Sequence, residues 1–167
     1  MSVAGFVIRE ERRPGDDTLI VDLHRRGYVP EGGRFGPEFC AYVAETVAEA
    51  ALDDPANGRV WFAERDGEAV GCAALVDHGW RGQLRWVVLL PEGRGVGAGR
   101  ALVGRAIAHS QARGHDEVFL ETTDGLPASM AIYEKLGFET VSDEKAPLWK
   151  GDGRLIVMRL RLARESG

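Results

Sequence analysis

Three glycines, Gly95, Gly97 and Gly99, alternate between Arg94 and Arg100, which follow the largely apolar run Leu84-Arg-Trp-Val-Val-Leu-Leu90 after Pro91-Glu-Gly93 and precede Ala101-Leu-Val103. A residue without Cβ leaves the neighbouring amides bare, and the first amides of a helix have no acceptor inside it. A glycine-rich turn that opens a helix therefore points several N–H groups at one spot and favours negative charge there. Two flanking guanidinium groups strengthen the effect. The chemistry on offer is the gripping of a phosphate; the plain alternative is a turn that only caps a helix.

Spacing narrows the phosphate reading. A dinucleotide fingerprint needs G-x-G-x-x-G, and counting from Gly97 the last glycine is replaced by Leu102. A P-loop needs Gly-Lys followed by Ser or Thr, which the chain lacks. Arg94-x-x-Gly97-x-Gly99, three residues after Pro91, resembles the acetyl-CoA signature of the GNAT superfamily of N-acetyltransferases: Gln or Arg, two residues, Gly, one residue, then Gly or Ala. About thirty residues on, Ala128-Ser-Met-Ala-Ile-Tyr133-Glu-Lys-Leu-Gly137-Phe138-Glu139 is similar to the helix and strand that follow the cofactor site in that family. Met130, Ile132, Tyr133 and Leu136 also make an ordinary apolar helix stripe, with Pro127 in the first turn and Gly137 as C-terminal cap.

The resemblance implies acetyl-CoA as co-substrate, bound by Val87, Val88 and Leu89 through backbone groups, by the amides of Arg94, Gly95, Val96, Gly97, Ala98, Gly99 and Arg100, and by Ser129. It implies direct transfer of the acetyl group to a primary amine in a ternary complex, with Tyr133 as general acid beside the thioester sulfur. A phenol with an ordinary pKa of about 10 stays protonated at neutral pH and can donate to a departing thiolate. Glu121, twelve residues before Tyr133, resembles the strand glutamate that some members use as base; an outward position near the strand end explains it equally well. Asp124, Glu92 and His78 are weaker candidates. Leu126 stands where many members carry Asn. The alternative function is a non-catalytic acyl-CoA-binding or sensing module.

The elements that must position these groups are legible from periodicity. Strand character runs from Val3 to Arg9, and a helix runs from Asp16-Asp17 to about Arg26, ended by Gly27. A second helix spans Pro37 to Leu52. Arg59–Glu64 and Ala69–Val76 are strands joined at Asp66-Gly67, a favoured hairpin turn, and Gln83–Leu90 is the next strand. Leu102, Val103, Ala106, Ile107 and Ser110 line a helix ending near Gly114. Strand Glu117–Thr122, helix Pro127–Leu136, strand Phe138–Ser142 and strand Arg154–Leu162 complete the order β-α-α-β-β-β-α-β-α-β-β. That order is the GNAT order. The expected class is α/β (α+β), a mixed central sheet of about seven strands flanked by about four helices, in one domain over 1–167. The resemblance further implies that the strands ending near Leu90 and Thr122 splay apart around the cofactor.

The 167 residues carry a net charge of -5. That argues against nucleic acid as a partner, because phosphate backbones need a basic face. An acidic surface suits a cationic acceptor. No apolar run of about eighteen residues and no secretory leader is evident, so no membrane is expected and the chain should stay in the cytoplasm. Cys40 and Cys72 read as buried free thiols, and the four histidines lack metal-ligand spacing, so no metal is expected. The partners are then acetyl-CoA and an amine acceptor, with a homodimer as one assembly. Tyr28–Phe39, containing Gly32-Gly33 and Gly36-Pro37, reads as a loop over the acceptor side, and Trp61, Trp80, Trp86 and Trp149 are candidate aromatic walls.

Overall fold

The computed structural model describes residues 5–31, 35–149 and 151–163; positions 3, 4, 32, 33 and 34 of the predicted first strand and loop lie outside them. The elements are β1 (Val7–Arg9), α1 (Asp16–Tyr28), α2 (Pro37–Ala50), β2 (Gly58–Arg65), β3 (Glu68–Asp77), β4 (Arg81–Leu89), α3 (Ala98–Ala112), β5 (Glu117–Thr123), α4 (Pro127–Lys135), β6 (Glu139–Pro147) and β7 (Asp152–Arg161). Seven strands form one sheet in the order β1-β2-β3-β4-β5-β7-β6. Only β4 and β5 run parallel; the other neighbours are antiparallel. The predicted order and the mixed sheet are both found.

Alternation along the strands feeds two cores, one on each face. Trp61, Ala73, Leu75, Leu84, Val118 and Leu120 meet Leu102, Val103 and Ala106 of α3. On the other face Val60, Phe62, Cys72, Ala74, Trp86 and Val88 meet Ile20 and Leu23 of α1 and Phe39, Val43 and Val47 of α2. The hairpin between β2 and β3 turns where expected, because Asp66 and Gly67 both have positive φ, 53° and 81°, as a type I′ turn requires.

Several boundaries differ from the sequence expectation. Gly27 does not end α1; the helix continues to Tyr28 and into a 3₁₀ turn, Val29–Glu31. A Cβ on Gly27 would stand 2.5 Å from Val88 Cγ2, so its role is to let α1 lie against β4. Helix α2 stops at Ala50, where Ala51 turns left-handed, short of Leu52. Strand β6 runs on to Pro147 because its whole length pairs with β7. Cys72 is buried but Cys40 only half-buried, and both are free thiols.

Two features of β4 shape everything that follows. Its pairing with β5 covers only Arg81↔Glu117, Gly82↔Val118 and Gln83↔Phe119; beyond these the two strands part. Its pairing with β3 jumps from Ala74↔Arg85 to Cys72↔Val88, so Trp86 and Val87 together oppose Ala73. This is a β-bulge, and Trp86 takes the unusual φ of 48°.

The closed end of the fork is clamped from α3. Ser110 Oγ lies 2.6 Å from His115 Nδ1, and His115 Nε2 lies 3.2 Å from Asp77 Oδ2. Burial pushes the Asp77 carboxyl up, yet the Gly79 amide, Arg113 and His115 outweigh it and hold the group below the usual carboxylate range. A Cβ on Gly82 would come within 2.7 Å of Ser110 Oγ. The Ser-His-Asp order mimics a nucleophile relay, but Ser110 is wholly buried and no substrate could reach it. The trio is a staple.

Candidate active site

Where β4 leaves β5, their edges and the helices above them enclose a cavity of about 390 Å³. Its floor is Leu84, Leu120 and Tyr133; its walls are Tyr28 and His24 of α1, Phe39, Tyr42 and Val43 of α2, Arg85, Trp86 and Val87 of β4, and Glu121 to Thr123 of β5. The turn between β6 and β7 closes it through Leu148 and Trp149. Tyr133 and Glu121, the predicted acid and base, thus share one cavity. They reach it for different reasons. Tyr133 lies on the buried stripe of α4 with its ring against Phe138, whereas Glu121 is exposed on β5 past the last residue that pairs with β4.

Ser129 stands one helical turn before Tyr133 and interacts with its phenol and with that of Tyr28. Burial pushes both phenols above their ordinary value, and Ser129 pulls each back by less. Both are therefore neutral donors at any physiological pH. Tyr28, which sequence reading passed over as the start of a loop, donates its hydroxyl to the Val87 carbonyl at 2.6 Å. No local signal marks it; its role exists only because Gly27 seats α1 on β4.

The glycine turn lies beside the far end of β4. Gly95 and Gly97 have φ of 81° and 82°, and a Cβ on either would meet nothing within 4 Å, so their outer faces are open. The first α3 bond runs from the Ala101 amide to the Gly97 carbonyl at 3.0 Å, which leaves the amides of Ala98, Gly99 and Arg100 without an acceptor in the helix. Gly99 is needed for packing: its Cβ would stand 2.9 Å from Ile132 Cδ1 of α4. The Arg94 amide is not part of this cradle, because it donates to the Pro91 carbonyl at 3.2 Å. Its side chain donates from Nε to the Leu89 carbonyl at 3.2 Å. The carbonyls of Val87 and Leu89 thus each hold one protein donor and keep a second lone pair; Val88 lies between them. The residues fit a diphosphate at the turn and an extended chain along β4.

The weaker base candidates lie elsewhere. Asp124 Oδ1 accepts from the Arg154 amide at 3.0 Å, and His78 Nε2 meets Gln83 Oε1 at 2.9 Å. Glu92 is exposed in the 3₁₀ turn before the glycines. Of the tryptophans, Trp86 and Trp149 line the cavity, Trp61 is buried in the core and Trp80 is exposed. Phe39, with Trp149 at 4.8 Å between ring centroids and Phe35 at 5.2 Å, extends the aromatic wall. Part of the predicted acceptor-side loop is therefore ordered 3₁₀ turn and helix. No group of three metal-ligating side chains is present among the described residues, and no helix there is long and apolar enough to cross a membrane.

His24 gives this wall a measurable pH dependence. Its Nδ1 donates to the Ile20 carbonyl at 2.7 Å, its ring stacks on Tyr28, and burial pushes its pKa down to about 4. The unfolded chain binds this proton near pH 6.5 and the folded chain only near 4, so unfolding free energy falls as pH drops through that window. The full effect is about 3 kcal/mol. Denaturant unfolding at pH 7 and pH 4 should show His24→Leu losing less stability on acidification than the parent by roughly that amount. An equal loss in both proteins would show that His24 is not held neutral.

Comparison with known proteins agrees with this geometry. The model of the acetyltransferase (GNAT) family matches residues 20–138. A mycothiol acetyltransferase of Streptomyces avermitilis is 35% identical over 159 residues, covering 83% of this chain and 48% of its own. The chain spans about half the length of the curated relatives it matches, or less. A GNAT-family protein from Desulfovibrio desulfuricans superposes with a TM-score of 0.73 at 26% identity, covering 95% of this chain and 99% of that one. A structure from Salmonella typhimurium that contains its cofactor acetyl-CoA has a TM-score of 0.76 at 18% identity, covering 98% of this chain and 97% of that one.

Proposed function

The chain belongs to the acetyltransferase (GNAT) family, and from that premise we propose that it is an N-acetyltransferase that moves the acetyl group of acetyl-CoA to a primary amine by direct transfer. The observation that carries the reading is the fork. Strands β4 and β5 part beside the glycine turn, and the cavity between them holds a neutral phenol and a carboxylate.

In this reading the amides of Gly95 to Arg100 hold the diphosphate, and the free edge of β4 at Val87, Val88 and Leu89 holds the pantetheine arm as an added strand. Ser129 orients the Tyr133 phenol. The acceptor enters from the aromatic side as an ammonium ion, and Glu121 takes a proton from it, directly or through water, leaving the nitrogen lone pair free. Nitrogen attacks the acetyl carbon, a C–N bond forms and the C–S bond breaks. A second proton leaves nitrogen as the amide forms; in sum one proton goes to sulfur and one to solvent. Tyr133 meets the charge that develops on sulfur. With its pKa raised above that of a free thiol, about 8.5, its main contribution is a hydrogen bond to the thiolate. No covalent enzyme intermediate is needed, and the Cys72 thiol, which burial pushes up and which donates to the Trp86 carbonyl, is unsuited to form one.

The test is binding and turnover with the purified protein. Acetyl-CoA should raise the melting temperature in proportion to the logarithm of its concentration, and free thiol should appear when a panel of primary amines is added. Binding without thiol release across the panel would favour an acyl-CoA sensor. No binding at all would remove the reading.

A further inference from the structure

Among the described residues that line the cavity, Glu121 is the one carboxylate and Arg85 the one guanidinium. Of the ion pairs among the described residues, none includes either of them. Arg85 is half-buried, its guanidinium lies 4.7 Å from the centroid of the Trp86 ring, and its Nη2 donates to the Tyr42 hydroxyl at 3.3 Å. This planar group is held against the wall, and among the described residues its other donors have no acceptor. The bulge accounts for its direction: by placing two residues opposite Ala73, it brings Arg85 and Trp86 to the same side of β4. Glu121 faces the cavity from the other arm of the fork.

Opposite charges on opposite arms, neither in an ion pair with a described residue, define the ligand. A simple ammonium ion would match Glu121 and leave Arg85 as an unpaired cation on the cavity wall. A linear polyamine would bring several cations to one carboxylate. A molecule with a carboxylate next to its amine satisfies both groups at once, since a guanidinium fork matches a carboxylate in shape and charge. One part of the remaining wall, Phe39, Trp86 and Trp149 with Leu155, is apolar and aromatic and suits a bulky apolar substituent. At about 390 Å³ the chamber lies near the small end of ligand sites, which run from about 300 to 1,000 Å³.

We infer that the acceptor is an α-amino acid with a large apolar or aromatic side chain, its carboxylate on Arg85 and its ammonium toward Glu121. This inference rests on the transferase reading above and adds the acceptor class to it. Arg85 is the specificity-determining residue.

The experiment measures kcat/KM for thiol release from acetyl-CoA with L-phenylalanine, L-phenylalaninamide and phenethylamine, and with L-leucine and isopentylamine. The amide keeps the shape, loses only the negative charge and has a less basic amine than the acid, whereas the decarboxylated amine is more basic, so a preference for the acid over both cannot come from amine basicity. Each amino acid should exceed its uncharged analogues at least tenfold. Arg85→Gln should erase that ratio through a raised KM for the amino acids, with kcat and the analogues' constants little changed, and Arg85→Lys should restore part of it. Equal or better turnover of the amide and the decarboxylated amines by the parent protein would overturn the inference while leaving the transferase reading intact, as would an Arg85→Gln loss shared equally by all acceptors. Absence of thiol release with every amine tested, amino acids included, would instead count against the transferase reading itself.

Discussion

Tyr133→Phe is expected to lower kcat by about 10² to 10⁴, the range typical of a positioned proton or hydrogen-bond donor, while the affinity for acetyl-CoA stays within a few-fold. The substitution removes one oxygen. The ring keeps its buried place against Phe138, and the backbone groups assigned to the cofactor are untouched. Steady-state kinetics with a calorimetric measurement of acetyl-CoA binding separates the two effects. Because the phenol stays neutral over the accessible range, the loss should not vary with pH. Glu121→Gln should behave differently: its deficit should shrink as pH rises, because a growing share of acceptor arrives already deprotonated. A Tyr133→Phe protein with an unchanged rate would take the phenol out of the chemistry.

The second large effect concerns stability. Asp16→Ala should cost about 3 to 5 kcal/mol, the range seen when one partner of a buried ion pair is removed and the other charge is left in place. Asp16 opens α1, is 3% exposed, and receives both terminal nitrogens of Arg9, at 2.9 and 3.0 Å, together with the Arg13 amide at 2.9 Å. Arg9 is 8% exposed and lies 4.5 Å from the centroid of the Phe62 ring. Glu64, 3.3 Å from Arg9 Nε, is the one remaining carboxylate near it. Chemical denaturation of the parent and the variant gives the difference directly. A change under 1 kcal/mol would mean that water or Glu64 takes over the guanidinium. Replacing Arg9 and Asp16 together by apolar residues should restore much of the loss, since well-packed isosteres often match a buried pair.

What could be read from the chain was what local physics decides. The Asp66-Gly67 turn, the apolar stripe of α3 and the glycine turn that opens it depend on neighbours in sequence, and each of these elements stands where expected. The pairing of β4 with β5 for three residues only, the bulge at Trp86 and the seat of Tyr28 on the Val87 carbonyl depend on partners far along the chain. Gly27 illustrates the difference. Next to a run of helix formers it reads as a stop signal, yet the space it leaves is filled by Val88, sixty-one residues later. The aromatic wall was partly hidden for the same reason. Phe39 and Trp149 come from opposite ends of the chain and meet only because β7 lies between β5 and β6. Arg85 carries no signal of its own within its strand, because its side of the sheet is set by the bulge.

The extra residue in the fourth strand also divides that strand into two independently adjustable halves. Side chains before it, Gln83 and Arg85, line the cavity, while the stretch after it runs to the glycine turn. In the proposed transferase, acceptor range could therefore drift, or be redesigned, by exchanging side chains upstream of the kink without retuning the half assigned to acetyl-CoA.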